Sequence, residues 1–164
     1  MVIWIIGKSG SGKSYLAKFL TNYYKKKFNK VLWIDGDKFR KKYSRDLGYS
    51  IKDRKINSLR IQKHCKVKEE LGNLVICSIL SMFKNHQKNN KKVFNKYIQI
   101  FIDVNINILK KRNNKKVYDR KKNVVGKDII FPRPYRSNIT IKNKFDKNFL
   151  INSKKIIKKV NDKL

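Results

Sequence analysis

Eight residues near the start of the chain, Gly7-Lys8-Ser9-Gly10-Ser11-Gly12-Lys13-Ser14, fit the pattern G-x-x-x-x-G-K-[ST]. Glycines at these places let the backbone turn so that the N–H groups of Gly7, Ser9, Gly10, Ser11 and Gly12 converge on one anion. The helix expected to follow adds positive potential at its N-terminus. Lys13 is placed to reach the β- and γ-phosphates, and the Ser14 hydroxyl to ligate Mg²⁺. A plain glycine-rich turn between strand and helix would not need Lys and Ser at those two positions. The implied ligand is a nucleoside triphosphate with its Mg²⁺, and the pattern does not say what receives the phosphate.

A second cluster, Asp35-Gly36-Asp37-Lys38-Phe39-Arg40, closes an apolar run. Phosphoryl transfer to an alcohol needs a carboxylate to orient and deprotonate the hydroxyl, and another to hold Mg²⁺ through water. Asp35 and Asp37 can divide those tasks if both face the phosphate loop. The plainer alternative for Asp35 is an ordinary turn in which it caps the next helix. The chain has only 11 Asp and Glu, so two of them here weigh toward chemistry.

Positioning these residues takes alternating strands and helices. Val2–Ile6, Val31–Ile34, Leu74–Cys77 and Tyr97–Ile102 read as buried strands, and Ile139–Ile141 as a short one. Helices are expected from Lys13 to about Lys27, with Leu16, Phe19, Leu20 and Tyr23 on one face, and after Asp53, with Ile56, Leu59, Ile61 and Val67 as apolar positions and Gly72 at the end. Ile106–Arg112 looks helical, and Ser153–Leu164 forms an amphipathic helix with Ile156, Ile157, Val160 and Leu164 inward. Residues 113–127 are polar, basic and unpatterned, and read as a mobile loop. Apolar strands alternating with helices argue for an α/β fold whose parallel sheet is covered on both faces.

The 164 residues fit one domain, 1–164, with no repeat or linker. Val2–Ile6 is too short to span a bilayer and runs into the glycine loop, so neither a membrane segment nor a signal peptide is expected. Cys65 and Cys77 cannot build a disulfide framework and read as reduced thiols of a cytoplasmic protein. The net charge is +32, from 43 Lys and Arg against 11 Asp and Glu. The 35 Lys, 18 Asn and 21 Ile share A/T-rich codons, so compositional bias explains much of that excess. The lysines are also scattered rather than gathered on one element, so specific nucleic-acid recognition is not expected. The field should still attract small polyanions such as nucleotides. His64 and His86 lack further ligands at metal-binding spacing and read as structural.

The run from Asp35 to Asn57 carries a more specific likeness. Asp35-Gly36-Asp37-Lys38-Phe39-Arg40, then Asp46-Leu47-Gly48-Tyr49-Ser50, then Asp53-Arg54 and Asn57, resembles the Asp-Gly-Asp-x-x-Arg and Leu-Gly-Phe-Ser…Asp-Arg…Asn pattern of the adenylylsulfate (APS) kinases, without a gap. Val75-Ile76-Cys77-Ser78-Ile79-Leu80-Ser81 resembles that family's third strand and serine loop, and the stretch from Arg112 to Tyr118 its lid.

The resemblance implies a three-layer P-loop kinase fold with a mostly parallel central sheet and a mobile basic lid. It implies phosphorylation of the 3′-hydroxyl of adenosine 5′-phosphosulfate by MgATP. Position by position, Asp37 would be the base at the acceptor hydroxyl and Asp35 its partner at Mg²⁺. Arg40 and Arg54 would grip the phosphosulfate, Tyr49 would stack on the acceptor base in place of Phe, Asn57 and Ser81 would make polar contacts to the acceptor, and Lys115 would meet ATP phosphates. The family also implies a possible homodimer.

Three departures stand out. Met82-Phe83-Lys84 replaces the usual Pro-Tyr-Arg, Asn113-Asn114 replaces Asp-Pro in the lid, and Val124 aligns with the second aromatic face of the base sandwich. Relatives that phosphorylate the 3′-hydroxyl of cytidine diphosphoramidate in capsule pathways are the alternative, since a smaller pyrimidine suits Val124. A second alternative is an ATP-using nucleic-acid-binding protein.

Overall fold

All five residues of Val2–Ile6 (β1) are buried, as an apolar strand covered on both faces must be. The computed structural model describes residues 1–113, 116–119, 122–146 and 148–163. After β1 come α1 (Lys13–Lys25), β2 (Val31–Asp35), α2 (Gly36–Tyr43), α3 (Ile51–Glu70), β3 (Leu74–Ile79), α4 (Lys84–Val93), β4 (Tyr97–Asp103), α5 (Ile106–Arg112), β5 (Ile139–Lys142) and α6 (Asn148–Asn161). The strands pair in parallel in the order β2-β3-β1-β4-β5. From central β1 the chain passes to β2 and β3 on one side, then to β4 and β5 on the other. The crevice at such a reversal, beyond the carboxyl ends of the strands, is where ligands bind in open α/β sheets.

Strand alternation divides the core in two. Ile3, Ile5, Ile76, Ile100 and Ile102 meet Leu16, Leu20 and Tyr24 of α1, Leu109 of α5, and Ile156 and Val160 of α6. On the opposite face, Val2, Trp4, Ile6, Val75, Cys77 and Ile79 meet Phe39 of α2 and Ile61 and Cys65 of α3. The result is the expected three layers. Cys65 and Cys77 are free and buried. Among the described residues no helix is long and apolar enough to cross a membrane.

Several elements differ from the sequence reading. α1 turns Ala17, Thr21 and Tyr24 inward beside Leu16 and Leu20, leaving Phe19 and Tyr23 partly covered. α3 begins at Ile51 rather than after Asp53, because Ser50 and Asp53 form a capping box. Its inward face is largely polar (Asn57, Ser58, Gln62 and Glu69), and Leu59 and Val67 are 37% and 53% exposed. Helix α4 has no counterpart in the sequence reading, and α2 entered it only as the helix that Asp35 would cap. α6 starts five residues early; Ile156 and Val160 are buried, Ile157 is half-buried, and Leu164 lies outside the described residues.

Candidate active site

The loop between β1 and α1 is shaped by contacts only glycine permits. A Cβ on Gly7 would lie 2.7 Å from both the Ile102 carbonyl oxygen and Ser11 Oγ. Gly12 has φ +99°, and a Cβ there would lie 2.9 Å from Asn143 Nδ2. The loop is braced from outside, with Lys8 Nζ donating to the Val104 carbonyl at 3.0 Å and Asn143 Nδ2 to the Ser11 carbonyl at 3.0 Å. Lys13 Nζ folds over the loop and donates to the Lys8 carbonyl at 2.7 Å. Gly12 has no side chain to cap α1, and the first turn holds no acidic residue. Those N–H groups therefore present the positive helix end to an anion. Ser11 Oγ is buried with no hydrogen-bond partner among the described residues, as expected of a cradle built for a further acceptor.

Asp35 caps the next helix, as its plainer reading expected, and it also faces the phosphate loop. Its Oδ1 caps α2, accepting from the N–H groups of Asp37 at 3.0 Å and Lys38 at 3.2 Å. Its Oδ2 accepts from Ser14 Oγ at 2.8 Å and Ser78 Oγ at 3.2 Å. Ser78 Oγ in turn accepts from Trp33 Nε1 at 3.0 Å. Ser14 and Asp35 thus offer paired oxygen donors, which fit a hard cation held mainly by phosphates and water. Among the described residues there is no group of three or more His, Cys, Asp or Glu side chains able to hold a metal ion.

On the acceptor side, Asp37 lies exposed in the first turn of α2. Arg40 reaches the Gly48 carbonyl and stands 5.0 Å from the Tyr49 ring centre. Burial lowers the Arg40 guanidinium below its usual range, against the opposing pull of Tyr49, Asp53 and Asp37. Arg54 stands 5.5 Å from the same ring, and donates to the Tyr49 carbonyl at 3.0 Å and the Asn123 carbonyl at 2.9 Å. It thereby ties the start of α3 to the 113–127 loop. Asn57 Oδ1 and Ser81 Oγ are buried and have no hydrogen-bond partner among the described residues. Leaving such atoms unsatisfied costs about 1–3 kcal/mol each, so they suit a site completed by a ligand.

An amide chain supports the Ser81 loop from below. Gln87 Nε2 donates to the Ser81 carbonyl at 3.1 Å, while its Oε1 accepts from Tyr135 N at 2.7 Å. Gln99 Nε2 donates to the Tyr135 carbonyl at 2.9 Å, while Gln99 Oε1 accepts from Tyr97 OH, which is linked through Asn90 to Gln62 of α3. Beside the loop, Phe83 and His86 pack at 5.1 Å, and His86 Nδ1 meets Ser58 Oγ at 3.1 Å.

Lys115 lies outside the described residues. In the rest of the lid, Tyr118 OH donates to the Ser9 carbonyl at 3.0 Å, an anchor on the phosphate loop that the sequence reading missed. Val124 is buried, and its N–H meets the Asp128 carboxylate at 3.1 Å. A cleft of about 570 Å³ opens beside the loop, lined by Lys8, Asp103, Val104 and Asn143 among others. Arg112 stacks 4.1 Å over the Phe145 ring. Trp33, Ser78, Asn143 and Tyr118 form the supporting set that spacing alone did not reveal.

The family model described as adenylylsulphate kinase matches residues 1–142. The chain belongs to the adenylylsulphate kinase family. It is 36% identical over 123 residues to an adenylyl-sulfate kinase of Buchnera aphidicola from Schizaphis graminum, covering 73% of this chain and spanning 58% of that relative. It is 30% identical over 167 residues to the cytidine diphosphoramidate kinase of Campylobacter jejuni, covering 97% of this chain and 95% of that one. The solved structure of a Mycobacterium tuberculosis APS kinase, in complex with AMPPNP and APS, matches with a TM-score of 0.86 at 23% identity, covering 98% of this chain and 96% of that one. The last likeness shows that this member shares the kinase fold from end to end.

Proposed function

We propose that this member of the adenylylsulphate kinase family transfers the γ-phosphate of ATP to the 3′-hydroxyl of adenosine 5′-phosphosulfate, giving 3′-phosphoadenosine 5′-phosphosulfate. The observation that carries the reading is the pairing of two half-sites at the carboxyl ends of β1, β2 and β3. One is the phosphate loop with Lys13. The other is the group of Asp37, Arg40, Tyr49, Arg54, Asn57 and Ser81, joined to the loop through the Ser14–Asp35 contact.

Phosphoryl transfer asks the protein chiefly for positioning and charge stabilisation. The N–H groups of the loop and Lys13 hold the β- and γ-phosphates. Ser14 and Asp35 would hold Mg²⁺, which would supply charge neutralisation at the phosphate oxygens. Asp37 orients the 3′-hydroxyl and takes its proton as that oxygen bonds to the γ-phosphorus and ADP leaves. Arg40 and Arg54 present planar forks to the phosphosulfate oxyanions. Both stand beside Tyr49, so a base stacking there exchanges a guanidinium–ring contact for a guanidinium–anion one. Asn57 Oδ1 and Ser81 Oγ gain the partners they lack. The lid, with Lys115 and the Tyr118 anchor, closes over ATP and excludes water.

The test is mass detection of the 3′-phosphorylated product with ADP released one to one; ADP release independent of acceptor would defeat the reading.

A second reading has its own support. The likeness to the Campylobacter jejuni cytidine diphosphoramidate kinase runs nearly the full length of both chains, and Val124 offers no aromatic face to a purine. The hydroxyl-activating and anion-gripping residues would serve that acceptor equally. The proposed setting is the cytoplasm. The proposed assembly is a homodimer, tested by light scattering, where a mass of a single chain would contradict it.

A further inference from the structure

We propose that Trp33 and Ser78 are positioning residues that fix the Asp35 carboxylate beside Ser14. Trp33 and Asp35 are two residues apart on β2, so both side chains leave the same face of the sheet. The pairing of β2 with β3 sets Asp35 opposite Ser78. An indole N–H can only donate, and a hydroxyl has one proton and two lone pairs. Trp33 Nε1 occupies a lone pair of Ser78 Oγ at 3.0 Å. The hydroxyl proton is thereby directed to Asp35 Oδ2 at 3.2 Å. That oxygen also accepts from Ser14 Oγ at 2.8 Å, while Oδ1 is engaged by the N–H groups of Asp37 and Lys38. A cation would take a lone pair of Ser14 Oγ and leave its proton on Oδ2, so Ser78 supplies the second donor that keeps this oxygen aimed at the gap. Ser78 is buried, 3% exposed, so water does not substitute for it. The relay therefore tunes how well this chain uses Mg²⁺, and it rests on the nucleotide reading of the loop, independently of the acceptor.

The experiment is calorimetric binding of a non-hydrolysable ATP analogue with and without Mg²⁺. In the unaltered chain Mg²⁺ tightens binding. Ser78→Ala should shrink that gain about tenfold, the low end of what losing an outer partner costs a metal site, with Mg²⁺-free affinity unchanged. Trp33→Phe keeps the ring and removes the N–H, so it should shrink the gain in the same direction by less. Because Trp33 acts through Ser78, the double variant should match Ser78→Ala alone rather than add to it. A full Mg²⁺ gain in Ser78→Ala, or additive losses in the double variant, overturns the proposal. Should Ser78→Ala not fold, a full gain in Trp33→Phe overturns it equally. Absence of any Mg²⁺ gain in the unaltered chain would instead defeat the nucleotide reading itself, and the relay with it.

Discussion

Asp35 and Asp37 stand two residues apart yet have different surroundings. Asp35 is engaged on both carboxylate oxygens by Ser14, Ser78 and two backbone N–H groups. Asp37 lies exposed in the first turn of α2, beside Arg40. Asp37→Asn should therefore lower turnover by about 10²–10⁴-fold, the usual range for a general base, with ATP affinity nearly unchanged by calorimetry. Near-normal turnover would remove its assigned role. Lys13→Ala should abolish turnover and weaken ATP binding together. The phosphate loop and the aspartate pair were legible in the sequence because phosphate chemistry demands those residue types at fixed spacing. Trp33 and Ser78 were not, because only the pairing of β2 with β3 joins them across 45 positions.

At the scale of elements, the five strands and the helices with apolar stripes were readable from periodicity. α4 was not: its ten residues include one apolar side chain, Val93, and its buried positions are the amides Gln87 and Asn90. Hydrogen bonds, not hydrophobic spacing, seat it. Gln87→Leu leaves the Ser81 carbonyl and the Tyr135 N–H without their partner, and should destabilise the fold by about 1–3 kcal/mol in denaturant titration. The start of α3 was misplaced because Ser50 and Asp53 cap each other. Ser50→Ala should cost about 1 kcal/mol, read as a lowered unfolding midpoint. An unchanged midpoint would mean the box contributes nothing to α3.

The whole molecule adds two expectations. With +32 formal charge, RNA and DNA of unrelated sequence should bind comparably, lose affinity steeply with salt and leave ATP turnover unstimulated. Nucleic-acid-stimulated turnover would favour the nucleic-acid alternative. Burial, with help from Lys68 and Lys55, lowers His64 and His86 below the ordinary 6.5. The native state then binds fewer protons than the unfolded chain between those lowered values and 6.5. Stability should be full above about pH 6.5 and fall as pH drops through that window. His86→Gln should flatten the slope, and an unchanged slope would show that His86 does not contribute.

The order of strands was not legible, since composition and spacing do not say which strands become neighbours. The central claim concerns the acceptor. Incubation with MgATP and, in parallel, adenosine 5′-phosphosulfate, cytidine diphosphoramidate, CMP, AMP or no acceptor, with mass detection of product, tests it most directly. Selective phosphorylation of adenosine 5′-phosphosulfate is the predicted result; selective phosphorylation of the cytidine compound, or no acceptor-dependent ADP, would contradict it.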